Sequence, residues 1–232
     1  PTRFQKVLVP EAGFRPCIWY TEEYQRMFNQ MAESVIEDKE LKEKFKDLKK
    51  IYFSRRQFGK AVATEFGEEY IEQCFNQNGY ESLGPETLSL REQIYVWNHA
   101  EAIACMNGTI PLNVVFCKNE KLKLTVLNKM SIYHKNPYIY LYMRKIEADF
   151  INVYKEPLKG YPKSLGEGPY LIKTGKEFFD YCQKEGFEIP YTGMKLRFYD
   201  LKQEIRYYLC VIGIGKQIRR VGSFVKRKIL RR

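Results

Sequence analysis

The chain has 232 residues, of which 44% are hydrophobic and 15% aromatic, a composition that excludes a disordered segment and suits one sizeable domain or two small ones. The formal net charge is +11, but residues 213–232 carry eight cations and no acid, so the rest of the chain is nearly balanced. A basic tail of this kind does not predict nucleic-acid binding, which needs cations spread over the folded surface.

The six cysteines show no Cys-x-x-Cys spacing, and only His99 and His134 could join them as imidazole ligands. We therefore expect no metal site and no cofactor, and we expect reduced cysteines in a reducing compartment. Both histidines are interpreted as surface or capping residues. The longest apolar run, residues 207–215, is too short to span a bilayer.

The first predicted elements are a strand at residues 6–9 and a helix that Thr21 caps and that runs to about Ile36. Residues 38–50 are highly charged but keep one apolar stripe at helical spacing. This pattern predicts a solvated surface helix.

From residue 51 onward, strands and helices alternate. Strands are predicted at residues 51–54, 80–83, 102–105 and 123–127, and helices at residues 65–78, 89–100 and 111–117. Ser89 followed by Glu92 forms a capping box, in which each side chain accepts a hydrogen bond from the other residue's backbone N–H. The alternation predicts an α/β fold with a Rossmann-like parallel sheet and flanking helices.

The pattern is weaker in the last part of the chain. Residues 131–154 are rich in tyrosine and suit either strand or helix, and residues 155–170 concentrate proline and glycine and are predicted as loop. Thr174 is predicted to cap a helix that runs to Glu185.

Two loops follow predicted strands at the edge where open parallel sheets bind ligands. Residues 54–56 are Ser-Arg-Arg, and paired guanidinium groups suit a diphosphate, although they also suit surface salt bridges. Residues 107–109 are Asn-Gly-Thr ahead of a predicted helix, whose free N–H groups favour phosphate, although a tight turn explains the glycine equally well. The same residues form an N-glycosylation sequon, which we discount because a glycan would block the loop.

Short motifs recur in a characteristic order over a little more than a third of the chain, about residues 45–127. The motifs are Ser-Arg-Arg (54–56), Pro-Glu (85–86), Leu-Ser-x-x-Glu-Gln (88–93), a glycine loop (107–109) and the downstream Asn113. Together they resemble glycosyltransferase family 61.

The resemblance implies the C-terminal, donor-binding half of a GT-B-type enzyme, with most of an acceptor domain ahead of residue 1. Residues 1–50 are then a remnant or linker, residues 51–200 the Rossmann-like donor domain and residues 201–232 a basic tail. It also implies inverting, metal-independent transfer from a nucleotide-sugar donor to a polysaccharide or lipid-linked glycan acceptor, as in bacterial capsule biosynthesis.

The donor-binding residues that the resemblance implies are Arg55, Arg56, Glu86, Gln93, Asn107, Gly108, Thr109 and Asn113. The two arginines and the amides after Gly108 would stabilise the departing diphosphate. Glu86 and Glu92 would meet ribose hydroxyls, although Glu92 also serves the capping box, and Gln93 either binds donor or belongs to the helix face. No catalytic base is assigned, because Asn107 stands where the family has histidine and cannot act as a base at neutral pH.

The tail, residues 213–232, combines its cations with apolar residues at helical spacing. This pattern predicts a basic amphipathic helix on an anionic membrane surface, with a solvated charged tail as the alternative. The membrane-contact residues are Lys216, Arg219, Arg220, Lys226, Arg227 and Lys228. We therefore expect a cytoplasmic protein attached peripherally to the inner face of the cytoplasmic membrane.

Two other functions compete with glycosyl transfer. A non-catalytic nucleotide-binding or scaffolding domain of the same fold is one, and the loss of histidine at Asn107 favours it. Nucleic-acid binding is the other, and the concentration of charge in the tail argues against it.

Overall fold

The structure is a computed structural model that describes residues 11–132, 135–155 and 168–212. Its strands are β1 (Phe14–Arg15), β2 (Trp19–Tyr20), β3 (Lys50–Phe53), β4 (Glu65–Phe66), β5 (Glu81–Leu83), β6 (Ala102–Met106), β7 (Lys123–Asn128), β8 (Ala148–Asn152) and β9 (Tyr170–Leu171). Its α-helices are α1 (Glu22–Ile36), α2 (Lys39–Lys44), α3 (Gly59–Thr64), α4 (Glu68–Gln77), α5 (Leu90–His99), α6 (Asn136–Arg144), α7 (Lys176–Lys184) and α8 (Gly193–Val211). Two 3₁₀ segments are Pro85–Thr87 and Ile110–Phe116.

Five parallel strands form the central sheet in the order β5-β3-β6-β7-β8. The central strand β6 is buried along its whole length, as expected where helices cover both faces of a parallel sheet. The predicted Rossmann-like α/β fold is therefore confirmed. The chain runs from β3 outward to β5 and then returns to β6 on the other side of β3. This reversal creates a topological switch point between β3 and β6, where sheets of this kind bind ligands.

Different helices cover the two faces of the sheet, because alternate strand residues point to opposite sides. On one face, Phe75 of α4 and Phe178 of α7 belong to the same core as Tyr52 of β3. On the other face, Trp97 of α5 stacks on Phe53 with ring centroids 5.9 Å apart. The result is a three-layer sandwich of helices, sheet and helices. Loops follow the carboxyl ends of the strands, which the helices leave uncovered.

The helix α1 adds a further layer outside α5. Its residues Ala32 and Val35 are buried in a core that α5 and the second 3₁₀ segment share. Arg144 of α6 extends this packing, since its Nε donates to the carbonyl oxygen of Val115 at 2.7 Å and its Nη1 donates to Asn29. The helix α1 therefore packs on the sheet domain, while the predicted division into domains stays a prediction.

Two of the three predicted helix caps, those at Thr21 and Ser89, are formed as the sequence indicates. The Thr21 hydroxyl accepts a hydrogen bond from the Tyr24 amide at 3.2 Å and starts α1. The Ser89 hydroxyl accepts from the Glu92 amide, and the Glu92 carboxylate accepts from the Ser89 amide. Both caps join residues three positions apart, so the local sequence suffices to specify them.

Two predicted helices are wrong in their bounds. The helix predicted at 38–50 ends at Lys44, because the next residues turn so that Phe45 and Leu48 pack towards the core of the sheet. The helix predicted at 65–78 begins only at Glu68. Its first residues instead form β4, which pairs with β9 more than a hundred positions away.

Other local predictions also need correction. Residues 110–116 form a 3₁₀ helix rather than an α-helix. The N-cap of α7 is Gly175, and the hydroxyl of Thr174 is buried with no hydrogen-bond partner among the described residues. The ambiguous residues 131–154 contain both α6 and β8, and α8 was not predicted. The predicted strand at 6–9 lies outside the described residues.

No helix in the described part of the chain is long and apolar enough to cross a bilayer.

Candidate functional site

A cleft of about 330 Å³ lies at the switch point, between the loops that follow β3 and β6. This volume is in the range of small-molecule sites. The cleft is lined by Arg55, Phe58, Pro85, Glu86, Gln93, Thr109, Ile110 and Asn113. Five of the eight predicted donor-binding residues are therefore brought together here, whereas Arg56, Asn107 and Gly108 do not line it.

Arg55 is held at this cleft by a buried carboxylate. Its Nε donates to Glu65 Oε2 at 3.1 Å and its Nη2 donates to Glu65 Oε1 at 3.0 Å, a bidentate pair. These two bonds use part of the five N–H groups of a guanidinium, which leaves its remaining donors able to meet a ligand. The side chain is 18% exposed, so it is fixed in place yet reachable from the cleft.

Glu65 also forms an ion pair with a second cation, Lys129, which directly follows β7. Lys129 Nζ donates to Glu65 Oε1 at 2.7 Å and lies 4.2 Å from the ring centroid of Tyr170. The side chains of Glu65 and Lys129 are each only 4% exposed, and burial lowers the pKa of Lys129 even though the Glu65 charge opposes the shift. Sequence reasoning missed both residues, although the position of Lys129 at the end of a predicted strand was a usable indication.

Glu68 fixes the backbone of the Arg55 loop. Its Oε1 accepts from the backbone N–H of Arg55 at 3.0 Å and from the Tyr52 hydroxyl at 3.1 Å. Burial raises the pKa of Glu68 to about 7, and the nearby Glu65 charge adds to the effect. The carboxyl group thus gains a proton near neutral pH, which limits the negative charge beneath the arginine.

Arg56 points away from the switch-point cleft. It pairs with Glu72 at 2.7 Å and with Glu69 at 3.5 Å, and it lines a separate cavity of about 150 Å³. That smaller cavity is also lined by Glu65 and Glu68. Both arginines are therefore salt-bridged and both line this smaller cavity, but only Arg55 also lines the switch-point cleft.

Gln93 organises the far wall of the cleft. Its Nε2 donates to the carbonyl oxygens of Pro85 at 3.0 Å and Leu88 at 3.1 Å, which holds the first 3₁₀ segment against α5. Its Oε1 accepts from Asn113 Nδ2 at 2.7 Å. These bonds occupy both ends of the Gln93 amide, so this residue positions Asn113 and the turn that carries Glu86.

Asn107 lies beneath its loop as part of a chain of amides across three strand ends. Asn107 Nδ2 donates to Asn128 at 2.7 Å, Asn128 Nδ2 donates to Asn152 at 3.1 Å, and Asn152 donates to Glu177. Because a carboxylate only accepts, Glu177 sets the direction of the whole chain. Asn107 Oδ1 is then left buried without a donor among the described residues.

The remainder of this loop differs from the predicted helix N-terminus. A Cβ added at Gly108 would meet no atom within 4 Å, so the space beside it is open. Thr109 is exposed and lines the cleft, and its side chain caps no amide. Since a short 3₁₀ helix follows, the loop offers fewer aligned N–H groups than an α-helix would.

Two exposed side chains stand at the edges of the cleft. Glu86 carries its carboxylate over Gly84, where an added Cβ would lie 3.1 Å from Glu86 Oε1. Phe58 is 41% exposed, and the guanidinium of Arg55 lies 5.5 Å from its ring centroid. Phe58 was not predicted as a site residue, although an aromatic residue two positions after Ser-Arg-Arg was visible in the sequence.

Other candidates have structural partners. Glu92 accepts from Lys44 and Ser89, and these hydrogen bonds lower the pKa of Glu92 to about 2, so its capping role is confirmed. His99 Nδ1 lies 2.9 Å from the carbonyl oxygen of Tyr95, and His134 lies outside the described residues. In the described ranges, no group of three His, Cys, Asp or Glu side chains is placed to hold a metal ion. The six predicted membrane-contact residues all lie outside the described part of the chain.

A parallel sheet with helices on both faces and a polar cleft at its switch point define a Rossmann-like α/β protein. The family model for Glycosyltransferase 61 matches residues 4–124, just over half of the chain, and the protein belongs to this family. The match begins well ahead of residue 45, where the recognised motifs start. Membership supports transferase activity and implies a sugar donor and a glycan acceptor. No curated protein matches the chain.

Proposed function

We propose that the protein transfers a sugar from a nucleotide-sugar donor to a polysaccharide or lipid-linked glycan acceptor, and that the switch-point cleft binds the nucleoside diphosphate. The single observation that carries this proposal is Arg55, a guanidinium fixed by buried Glu65 at the wall of that cleft. An arginine oriented in this way can donate parallel hydrogen bonds to phosphate oxygens without first reorganising.

In the proposed reaction, an acceptor hydroxyl oxygen attacks the anomeric carbon as the bond to the diphosphate breaks. Attack from the face opposite the leaving group inverts the configuration at that carbon. The guanidinium of Arg55 stabilises the negative charge that builds on the diphosphate, which is the role a divalent metal has in other transferases. Asn107 is excluded as the base that takes the hydroxyl proton, because an amide does not titrate and its Nδ2 bonds Asn128.

The rim residues supply contacts to the rest of the donor. Phe58 presents an exposed ring beside Arg55, where a nucleobase can stack while the diphosphate reaches the guanidinium. Glu86 is exposed and can accept hydrogen bonds from ribose hydroxyls. Thr109 and Asn113 lie across the cleft and offer a hydroxyl and an amide to the phosphates or the sugar.

The wider setting of this proposal is a GT-B-type enzyme of bacterial capsule or surface-polysaccharide synthesis. A second Rossmann-like domain would close over the cleft and bring the acceptor and the catalytic base. The cationic residues 213–232 would hold the enzyme at the inner face of the cytoplasmic membrane, next to lipid-linked acceptors. The charge of the tail and the family membership support this setting.

A non-catalytic nucleotide-binding domain is the second candidate function. The observation that favours it is Asn107, which takes the place of the family's histidine and is buried in an amide chain rather than aimed at the cleft. Such a protein would bind the nucleotide without transferring sugar. A transfer assay with the full-length protein, in which free nucleoside diphosphate is measured with and without a glycan acceptor, separates the two functions.

Calorimetric titration of UDP, GDP and CDP tests the cleft, with inorganic pyrophosphate as the ligand that lacks a nucleoside. Arg55→Ala should weaken binding of the preferred nucleotide by about 10-fold to 100-fold, the cost of losing a charged hydrogen-bond donor. Arg56→Ala is the matched control and should bind as the wild type does, because Arg56 faces the other cavity. Phe58→Ala should weaken nucleotide binding but leave pyrophosphate binding unchanged. We expect the same affinity in the presence of a chelator.

Equal binding by the wild type and Arg55→Ala would refute the assignment of the cleft. Because Arg55 also pairs with Glu65, the thermal stability of each variant must be measured beside its affinity. Arg55→Lys keeps a cation near Glu65 but lacks the bidentate geometry, so it should lose affinity with less loss of stability. Binding that requires magnesium or manganese would refute the metal-independent reaction.

A further inference from the structure

The helix α8 presents two apolar faces. Its inner face packs on the domain, where the Tyr199 hydroxyl donates to the carbonyl oxygen of Gly67 at 3.1 Å. Tyr207 is fully buried and meets Phe66 edge-on with ring centroids 6.4 Å apart. These contacts account for the inner face of α8, whereas the exposed apolar residues of its outer face have a separate role to explain.

The outer face of α8 is a continuous stripe of large apolar side chains, each between 38% and 66% exposed. The stripe consists of Met194, Phe198, Leu201, Ile205, Tyr208, Leu209 and Ile212. At 3.6 residues per turn, all seven positions fall within about 100° of the helix circumference, so they lie on one side of the helix over five turns. Soluble proteins seldom expose an apolar patch of this extent unless it contacts a partner or a membrane. We refer to it as the α8 stripe.

Charges beside the α8 stripe are cationic. Lys195, Arg197 and Lys202 are exposed and flank the stripe at helical positions about 65° to 95° from its centre. The only two acids of α8, Asp200 and Glu204, are instead directed to Lys173 of the domain, at 3.4 and 3.0 Å. An apolar stripe bordered by cations, with its acids neutralised elsewhere, is the pattern of a helix that lies in the interface of an anionic bilayer.

We propose that the α8 stripe docks the protein on an anionic membrane surface, with the helix lying in the plane of the interface. The apolar side chains enter the boundary between headgroups and acyl chains, and the flanking cations contact lipid phosphates. This contact surface is separate from the donor cleft and does not depend on it. It is also distinct in sequence from the cationic residues 213–232.

Charge argues for a lipid surface rather than a second copy of the chain. If two copies packed with their α8 stripes face to face, the cations Lys195, Arg197 and Lys202 of both copies would border the same interface. Like charges that meet across an interface disfavour association, whereas an anionic headgroup layer complements them.

The test measures sedimentation of the full-length chain with vesicles of phosphatidylglycerol or of phosphatidylcholine. The double variant Phe198→Ser/Ile205→Ser removes two apolar side chains from the middle of the stripe. The control, Met27→Ser/Tyr142→Ser, removes two exposed apolar side chains from α1 and α6 instead. On phosphatidylglycerol we expect the stripe variant to bind about tenfold more weakly or worse, and the control to bind as the wild type does. On phosphatidylcholine the wild type should bind weakly, and added salt should weaken its binding to phosphatidylglycerol.

A third variant separates the stripe from the cationic tail. The substitutions Lys226→Ser, Arg227→Ser and Lys228→Ser remove tail charge and leave α8 unchanged. Vesicle binding that depends on the tail alone, with the stripe variant equal to the wild type, overturns the proposal. Light scattering of the lipid-free protein provides another check, because a dimer that the stripe substitutions dissociate would identify a second copy as the partner and also overturn it.

Tryptophan fluorescence tests the contact without removing apolar area. Phe198→Trp places a reporter on the stripe, and Lys176→Trp places one on α7, where the lysine side chain is 92% exposed. Brominated phosphatidylglycerol should quench the stripe reporter and shift its emission to the blue, and should leave the α7 reporter unchanged. Equal quenching of both would overturn the proposal. A blue-shifted emission from the stripe reporter before lipid is added would also overturn it, since it shows that the chain itself covers the stripe.

Discussion

The substitution Glu65→Gln tests whether the buried carboxylate organises the cationic wall of the cleft. Glu65 accepts two hydrogen bonds from Arg55 and one from Lys129, and its side chain is 4% exposed. Glutamine keeps the size of the side chain and one oxygen acceptor, but it removes the negative charge. The substitution therefore takes a carboxylate away from two neighbouring cations, one of which is almost fully buried.

Removing one partner of a buried ion pair costs about 3–5 kcal/mol, because the remaining charge stays desolvated. Since glutamine can still accept one hydrogen bond, we expect about 3 kcal/mol, which lowers Tm by about 6–12 °C for a chain of this length. Burial already lowers the pKa of Lys129 below its ordinary value of 10.5, and the substitution lowers it further. The folded state then binds fewer protons than the unfolded state, so the variant regains stability as the pH rises towards 10.5.

Urea denaturation of the wild type and the variant at about pH 7 and about pH 9.5 measures both effects. Glu43→Gln is the control, because its pair with Lys46 is exposed and should contribute less than about 0.5 kcal/mol. The double variant Glu65→Gln/Lys129→Met removes the buried cation as well and should recover part of the loss. If Glu65→Gln unfolds at the same urea concentration as Glu43→Gln, the buried carboxylate does not stabilise the wall of the cleft.

Substitutions at Glu68 and Gly67 give two further predictions about the stability of the domain. The pKa of Glu68 is raised from 4.5 to about 7, so its contribution to stability is complete below 4.5 and is lost as the pH rises to 7. Glu68→Gln mimics the protonated carboxyl and should flatten the pH profile of the denaturation midpoint over that interval, whereas an unchanged profile would contradict this assignment. Gly67→Ala should destabilise the domain by more than about 3 kcal/mol, because φ is +109° and the new Cβ would lie 2.0 Å from the Ile172 carbonyl oxygen. Gly59→Ala, where a Cβ meets no atom within 4 Å, is its control and should melt close to the wild type.

Features specified by short-range contacts could be predicted from the sequence. The caps at Thr21 and Ser89 join residues three positions apart, and both are formed. The alternation of apolar strands and helices predicts the parallel sheet, because a strand buried on both faces must be apolar along its whole length. The position of Arg55 directly after a strand was also sufficient to place it at the carboxyl edge of the sheet.

The order of strands and the partners of charged side chains needed the tertiary structure. Arg55 and Arg56 are adjacent in sequence, yet one lines the switch-point cleft and the other pairs with Glu72 beside a different cavity. The sequence places Glu65 in a predicted helix, but in the structure it pairs with Lys129, which is 64 positions away along the chain. No local pattern encodes such a pairing, because it arises only when β4 comes to lie beside the carboxyl end of β7.

The same distinction applies to α8. Its apolar residues are visible in the sequence at helical spacing, and they recur on both sides of the helix. Periodicity cannot tell which of two apolar faces is buried, since both satisfy the helical repeat. Packing against β4 and β9 decides this: Tyr207 turns to the core while Phe198 and Ile205 remain exposed. The sequence by itself therefore determined the alternating strands and helices around residues 51–127 and the caps at Thr21 and Ser89, and the tertiary structure alone decided which surfaces remain exposed.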